Sequence, residues 1–381
     1  TTNDEELMFL QACWTPFGDP RTRKGTPVYE GLKAKVAGIS HEEGFRQLSA
    51  FVRLLRHGAQ TFRYLYNRAA AADNTDESLW MERISFHPRL ASVLPLVVAL
   101  FYRENDREER TKALELIEKL NFRFYVLGIA GRSDSFQSEL NQLAYDYFHG
   151  DLSEHNEPCT TADLEEGLRT FIRDHAEIRR VIKNLVLEAD ESWDFYGWAG
   201  LKFFLASYEQ SLCEARHHTK PLPELLRRRD PDTYNDFYHR EHIVARNDHE
   251  DISDEVGGFI KRRLGNFVLT REGTNKTASN GRAAEKIEKT YEAADMNRLY
   301  QVIELNDFLQ GAESFVSNER GWKRDAKGCR EERLKRLMDK REEQLVGFAL
   351  KRWHVPGADP EEPPTVNIDS IFTGSAVWKR A

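Results

Sequence analysis

Cysteine is scarce in this chain of 381 residues. The four cysteines are Cys13, Cys159, Cys213 and Cys329, and no two lie close enough along the sequence to form a CxxC redox pair or a zinc knuckle. We therefore expect buried, reduced thiols rather than disulfides or a structural zinc. Such thiols are typical of a reducing compartment, which predicts a cytoplasmic protein.

Long apolar runs are absent as well. The longest, residues 90–102, is too short to span a bilayer and contains Pro95. No signal peptide precedes it, and the sequence predicts no membrane partner. The chain starts at Thr1 without a methionine, so we interpret it as a fragment or a processed chain.

An excess of positive charge is also lacking, since the formal net charge is −8. This excludes a basic nucleic-acid coat protein. The acidity lies in the first part of the chain, whereas residues 261–290 and 320–352 carry more Lys and Arg than Asp and Glu. Local basic stretches of this kind can bind phosphates. No Gly-x-x-x-x-Gly-Lys phosphate loop occurs, so we predict no nucleotide hydrolysis.

The first 215 residues show helical periodicity. Thr160 and Asp163 form a capping-box pattern before an apolar run. The aromatic-rich stretch 193–212 shows no alternation, which predicts a buried helix. Apolar residues recur at helical spacing in two further stretches: Leu48, Phe51, Val52, Leu55, Ala59 and Phe62, and Ala113, Leu116, Ile117, Leu120 and Phe124. This part is predicted to be a helical bundle or array.

Composition changes at Pro221 and Pro223, which predicts a domain boundary. The pattern that follows is strand, loop, strand, loop, helix, with strand signals at 237–244 and 265–270 and a helical signal at 282–291. Two more helices are expected at about 297–315 and 320–353. The proline-containing tail is expected to be extended, either lying on the body or loose.

Three short segments carry a recognisable pattern: Glu241-His242-Ile243-Val244, then Gly265-Asn266-Phe267-Val268-Leu269-Thr270-Arg271, then Asn275-Lys276. Together they resemble the HNH, or ββα-metal, nuclease motif. The version here is similar to that of GmrSD-type and SspE-like phage-defence restriction nucleases, and the HNH domain of RNA-guided CRISPR nucleases has a similar start. The helical part also resembles this family. The family's N-terminal ParB-like domain, with its Asp-Gly-Gln-Gln-Arg signature, is missing from this sequence.

The resemblance implies a role for each motif residue. His242 is the expected general base, because a neutral imidazole can take a proton from water. Glu241 and Asn275 would hold one divalent cation, Mg²⁺ or Mn²⁺, through oxygen ligands. Asn266 is expected to brace the loop that carries His242, so His242, Asn266 and Asn275 are the predicted catalytic residues. Adjacent strand residues point to opposite faces, which makes Glu241 a weaker prediction than His242.

Basic residues around the motif are the expected phosphate contacts. Such contacts are salt-sensitive and independent of base sequence. A solvated helix face and a polar loop are the alternative interpretation. The predicted DNA-binding residues are Arg271, Lys276, Arg282 and Lys286.

The expected fold class is mainly α, with an N-terminal helical bundle (1–220), a small α+β HNH domain (221–318) and a basic C-terminal helix with an extended tail (319–381). The function predicted by the resemblance is a metal-dependent DNA endonuclease, a nickase, in anti-phage defence. Its partners would be DNA and the family's ParB-like domain, and oligomeric state is open, with a homo-oligomer among the alternatives. The competing hypothesis is an interaction or regulatory module with a degenerate HNH fold. An RNA-cutting toxin is a weaker third hypothesis.

Overall fold

The structure is a computed structural model of the chain, and it describes residues 3–21, 27–66, 75–129, 131, 135–153, 158–186, 193–227, 237–245, 254–271, 286, 299–310, 327–364 and 366. These residues are mainly helical, as predicted, with a small two-stranded sheet. The chain forms two compact units. One comprises Thr1–Arg180 with Trp353–Glu361, and the other Val181–Arg352 with Glu362–Ala381. The predicted domain boundary at residue 220 stays a prediction.

Eight helices follow one another in the described part of the first unit. They are α1 (Asn3–Phe17), α2 (Val28–Val36), α3 (His41–Tyr66), α4 (Asp76–Ser85), α5 (Leu94–Arg103), α6 (Arg107–Asn121), α7 (Gln137–His149) and α8 (Thr161–His175). A π-helical turn, Phe122–Val126, continues α6. Helix α8 starts at the capping box of Thr160 and Asp163, which confirms that prediction.

Helix α5 lies at the centre of the first unit. Every residue from Leu94 to Leu100 is buried, and α5 packs against α1, α3, α6 and α7. A helix with apolar residues on all sides can be stable only when it is enclosed by others, so the bundle forms around it. The five residues of the π-helical turn are buried as well.

The segment Trp353–Glu361 completes the first unit. The ring of Trp353 stacks on Phe122, with centroids 3.4 Å apart. The buried guanidinium of Arg123 donates to both carboxylate oxygens of Asp359, at 2.8 and 2.9 Å. Lys119 Nζ donates to the carbonyl of His354 at 2.8 Å. This part of the predicted tail therefore lies on the helical body.

The second unit contains a two-stranded antiparallel sheet among helices. Strand β1 (Tyr238–His242) pairs with β2 (Phe267–Arg271), and His242 lies opposite Phe267. The helices bounded in this part of the chain are α9 (Ile178–Leu185), which begins in the first unit, α10 (Leu201–Glu214), α11 (Leu222–Leu226), α12 (Asp254–Arg262), α13 (Tyr300–Gln310) and α14 (Lys327–Arg352). Two 3₁₀ turns, Phe195–Gly197 and Leu264–Asn266, precede α10 and β2.

Helices α10 and α13 hold the sheet through buried polar contacts. The amide of Leu269 donates to Gln301 Oε1 at 2.9 Å. Glu209 on α10 accepts from the backbone amides of Tyr300 and Gln301, at 2.7 and 3.0 Å, and so caps the start of α13. Strand β2 is thereby fixed to the helices on which it rests.

Several predicted elements differ in extent. The buried helix expected over 193–212 begins only at Leu201, because a 3₁₀ turn and Gly200 precede it. The strand expected from Gly265 begins at Phe267, after the turn at 264–266. The helix expected over 282–291 lies outside the described residues except for Lys286. Cys13, Cys159 and Cys213 are free and buried, as predicted, and the side chain of Cys329 lies outside the description.

Candidate active site

His242 is the last residue of β1 and is partly exposed. The imidazole contacts two aromatic rings, with its centroid 4.8 Å from that of Tyr196 and 4.8 Å from that of Phe267. The Nε2 atom is buried. The two rings restrict the orientation of the imidazole, which a residue acting on a bound substrate needs.

Asn266 holds the loop that follows His242. The side chain is fully buried. Its Oδ1 accepts from the amide of Val244 at 2.7 Å, and its Nδ2 donates to the carbonyls of Val244 and Lys261, at 3.1 and 3.2 Å. The carbonyl of Asn266 also accepts from the amide of Ile243 at 2.9 Å. One side chain thus fixes the backbone directly after the candidate base, and its predicted catalytic role stays a prediction.

A buried ionic cluster lies beneath the Asn266 turn. Arg263 donates to Asp339 at 2.7 Å and to Glu342 at 2.6 Å, both on α14. Glu342 also accepts from the amide of Gly265 at 3.3 Å. Burial raises the pKa of Asp339 to about 6, although the Arg263 charge lowers it. Helix α14 therefore positions the turn through charges buried in the second unit.

Glu241 lies on the other face of the sheet from His242, since side chains alternate along a strand. Its carboxylate is buried and pairs with Lys286, whose Nζ lies 2.6 Å from Oε1 and 2.9 Å from the carbonyl of His242. Burial raises the pKa of Glu241, against the lowering effect of Lys286. In this arrangement an ammonium already neutralises the carboxylate. While it is paired with Lys286, Glu241 therefore does not fit its predicted role as a metal ligand.

Within the part of the chain that the structure describes, no group of three or more His, Cys, Asp or Glu residues is arranged to hold a metal ion. Asn275, the other predicted ligand, lies outside the described residues.

Two of the four predicted DNA-binding residues, Arg271 and Lys286, lie among the described residues, and their surroundings differ. Arg271 lies opposite Tyr238, with its guanidinium 5.7 Å from the ring centroid, on the sheet face that carries His242. Lys286 is buried against Glu241, because its ammonium serves an ion pair inside the second unit. Lys276 and Arg282 lie outside the described residues. Of the two that the structure describes, Arg271 lies on the His242 face.

Two residues near His242 were not predicted from the sequence. Arg240 lies two positions before His242, so strand alternation could have indicated that both share one face. The Arg240 guanidinium lies 4.9 Å from the centroid of the Tyr196 ring and donates to the Tyr196 carbonyl at 3.0 Å. Tyr196 is far away in the sequence, and no local pattern places it over the strand.

Three comparisons were made with known proteins, and no family model, curated protein or solved structure matches this chain. A separate search of the described helices finds none that is both long and apolar enough to cross a membrane.

Proposed function

We propose that this chain is a DNA endonuclease, a nickase, that hydrolyses phosphodiester bonds with His242 as its general base. The main support is that the Asn266 side chain fixes the loop directly after His242 through three hydrogen bonds. This is the bracing that the HNH resemblance predicts for this asparagine. The role in anti-phage defence rests on the resemblance alone.

The chemistry assigned to His242 is proton abstraction from water. The water oxygen bonds to phosphorus, the bond to the 3′ oxygen breaks, and the leaving oxygen is protonated by solvent. The rings of Tyr196 and Phe267 would hold the imidazole in place. One such site attacks one strand in each encounter, so nicking is the expected outcome.

The proposal retains a divalent cation, Mg²⁺ or Mn²⁺, because the resemblance implies one. Glu241 does not fit as its ligand while it is paired with Lys286, so no step is assigned to the metal. The family's ParB-like domain likewise remains a proposed partner.

A second candidate function is an interaction or regulatory module built on an inactive HNH fold. The observation that favours it is the same ion pair, because Lys286 neutralises the carboxylate that an active HNH site would offer to a metal. DNA cleavage separates the two candidates.

The test is a supercoiled-plasmid assay with Mg²⁺ or Mn²⁺, comparing wild type, His242→Ala and His239→Ala. His239 is the matched control, because it lies on the same strand but on the opposite face. We expect open circles from wild type and His239→Ala and none from His242→Ala. Equal cutting by all three would place the activity elsewhere. A wild type that cuts with neither metal supports the second candidate.

A further inference from the structure

A cationic and aromatic surface adjoins His242 in the second unit. Arg240 and His242 lie on the same face of β1, and the Tyr196 ring covers both. The ring centroid of Tyr196 lies 4.9 Å from the Arg240 guanidinium carbon and 4.8 Å from the imidazole centroid. A guanidinium is therefore held beside the candidate base. Neither its charge nor its position is used by the mechanism above.

Lys202 adds a second positive charge to this surface. Its Nζ donates to the carbonyl of Arg227 at 3.0 Å. Burial, reinforced by repulsion from Arg240, lowers the pKa of Lys202 to about 8. Most Lys202 side chains are therefore still protonated at pH 7, and the ammonium and the Arg240 guanidinium repel each other.

In the part of the chain that the structure describes, both cations make their polar contacts with carbonyl groups. Arg240 contacts the carbonyl and the ring of Tyr196, and Lys202 contacts a carbonyl. Within the described part of the chain, neither side chain forms an ion pair with a carboxylate. Two buried cations of this unit differ in this respect, since Arg263 pairs with Asp339 and Glu342, and Lys286 pairs with Glu241. Asp194 caps the turn that carries Tyr196 and pairs with neither cation, so the two cations make a local positive potential, which favours an anionic ligand.

The aromatic part of the surface is open to solvent. Tyr196 is 37% exposed, and the nearby Trp193 is 51% exposed. An exposed ring beside cations suits a nucleic-acid strand, because phosphates contact the cations while a base stacks on the ring.

We propose that Tyr196, Lys202 and Arg240 bind the DNA strand next to the scissile phosphodiester. Arg240 and Lys202 contact its phosphates, and Tyr196 stacks against a base that has left the duplex. This inference rests on the proposed function, since it names the substrate contacts of the same site. We call these three residues the strand-binding surface.

The test is fluorescence anisotropy with a labelled DNA of about 20 nucleotides, single-stranded and duplex, in EDTA so that binding is measured without cleavage. Arg240→Gln should weaken binding about five- to twentyfold at low salt and should reduce the slope of log K against log salt by about one. Lys202→Met is the second variant and should act in the same direction. Tyr196→Ala should weaken binding of the single strand more than binding of the duplex.

Arg216→Gln is the matched control. Arg216 is an exposed arginine of the same unit, its guanidinium lies 4.5 Å from the centroid of the Tyr300 ring, and it donates to the Leu212 carbonyl at 3.0 Å. It therefore reproduces the local contacts of Arg240 away from His242. We expect wild-type affinity from this variant, and circular dichroism should show that both arginine variants are folded.

Each result decides the inference separately from the nuclease activity. DNA binding that depends on Arg240 in a protein that does not cut supports the surface and removes the nuclease. Cutting with unchanged affinity in Arg240→Gln and Lys202→Met overturns the surface and leaves the nuclease intact. Equal losses in Arg240→Gln and Arg216→Gln, or no wild-type binding at about 100 µM protein, also overturn it.

Discussion

Asn266→Ala tests how the loop after His242 is held. The substitution removes three buried hydrogen bonds, to the amide of Val244 at 2.7 Å and to the carbonyls of Val244 and Lys261 at 3.1 and 3.2 Å. Asn266 is fully buried, so bulk water cannot replace them. A buried polar group left without its partner costs about 1–3 kcal/mol. A water that enters the space would recover part of this. We therefore expect a loss of about 3 kcal/mol in the free energy of unfolding.

Two measurements check this expectation. Urea unfolding gives the global loss, and hydrogen exchange at the Val244 amide gives the local one. That amide should exchange faster in Asn266→Ala, because its hydrogen-bond acceptor is gone. The nicking rate should be lower in the same variant. Asn121→Ala is the control, since Asn121 is equally buried but bonds His87 and the Arg89 carbonyl in the first unit. It should lower stability without changing exchange at Val244.

Unchanged exchange at the Val244 amide in Asn266→Ala would refute the reasoning. So would an unfolding free energy within about 0.5 kcal/mol of wild type, which is the range of an ordinary surface substitution.

Three further predictions concern the buried contacts. Gly265→Ala should cost about 1–3 kcal/mol of stability, because the new Cβ would lie 2.7 Å from the Met338 carbonyl oxygen. Asp339 has a folded pKa of about 6 against an ordinary 3.8, so the folded state keeps a proton there that the unfolded chain has lost, and stability falls as pH rises through this window. As the pH rises from 4 to 7, the unfolding free energy of wild type should therefore fall by roughly 2–3 kcal/mol relative to that of Asp339→Asn, which cannot titrate at this position. Asp359→Ala should cost about 3–5 kcal/mol, because it leaves the Arg123 guanidinium buried without its carboxylate.

Urea unfolding reads the controls and the contradicting results for these predictions. Gly258→Ala should be neutral or stabilising, since nothing lies within 4 Å of its added Cβ and the position is helical. A pH-independent difference between wild type and Asp339→Asn would contradict the linkage. The double variant Arg123→Met with Asp359→Leu should lose much less than Asp359→Ala, and an equal loss would show that packing, not the unpaired charge, sets the cost.

Local patterns in the sequence predicted local structure well. The capping box of Thr160 and Asp163 starts α8, and strand signals gave both strands of the sheet. The resemblance to the HNH motif implied that Asn266 would brace the loop carrying His242, and the Asn266 side chain bonds that loop at Val244. These features depend on residues that are neighbours in the sequence or across one hairpin-like pair.

Long-range partners could not be predicted in the same way. Arg341 and Glu342 lie in a charged run that is typical of a solvated helix, yet both are fully buried, Arg341 on the Phe267 carbonyl and Glu342 on Arg263. Lys286 was expected at a phosphate and is paired with Glu241. Each partner comes from a distant segment, and composition alone does not show which charges the fold brings together.

The central claim is that His242 removes a proton from the attacking water. Its most direct test is the single-turnover cleavage rate of a labelled duplex by wild type and His242→Ala, with and without imidazole in the buffer. Loss of a general base should slow cleavage by about 10²–10⁴-fold. Added imidazole should restore part of the rate to His242→Ala but not to Asn266→Ala, in which the base is present and its support is lost. Cleavage by His242→Ala at the wild-type rate would contradict the account.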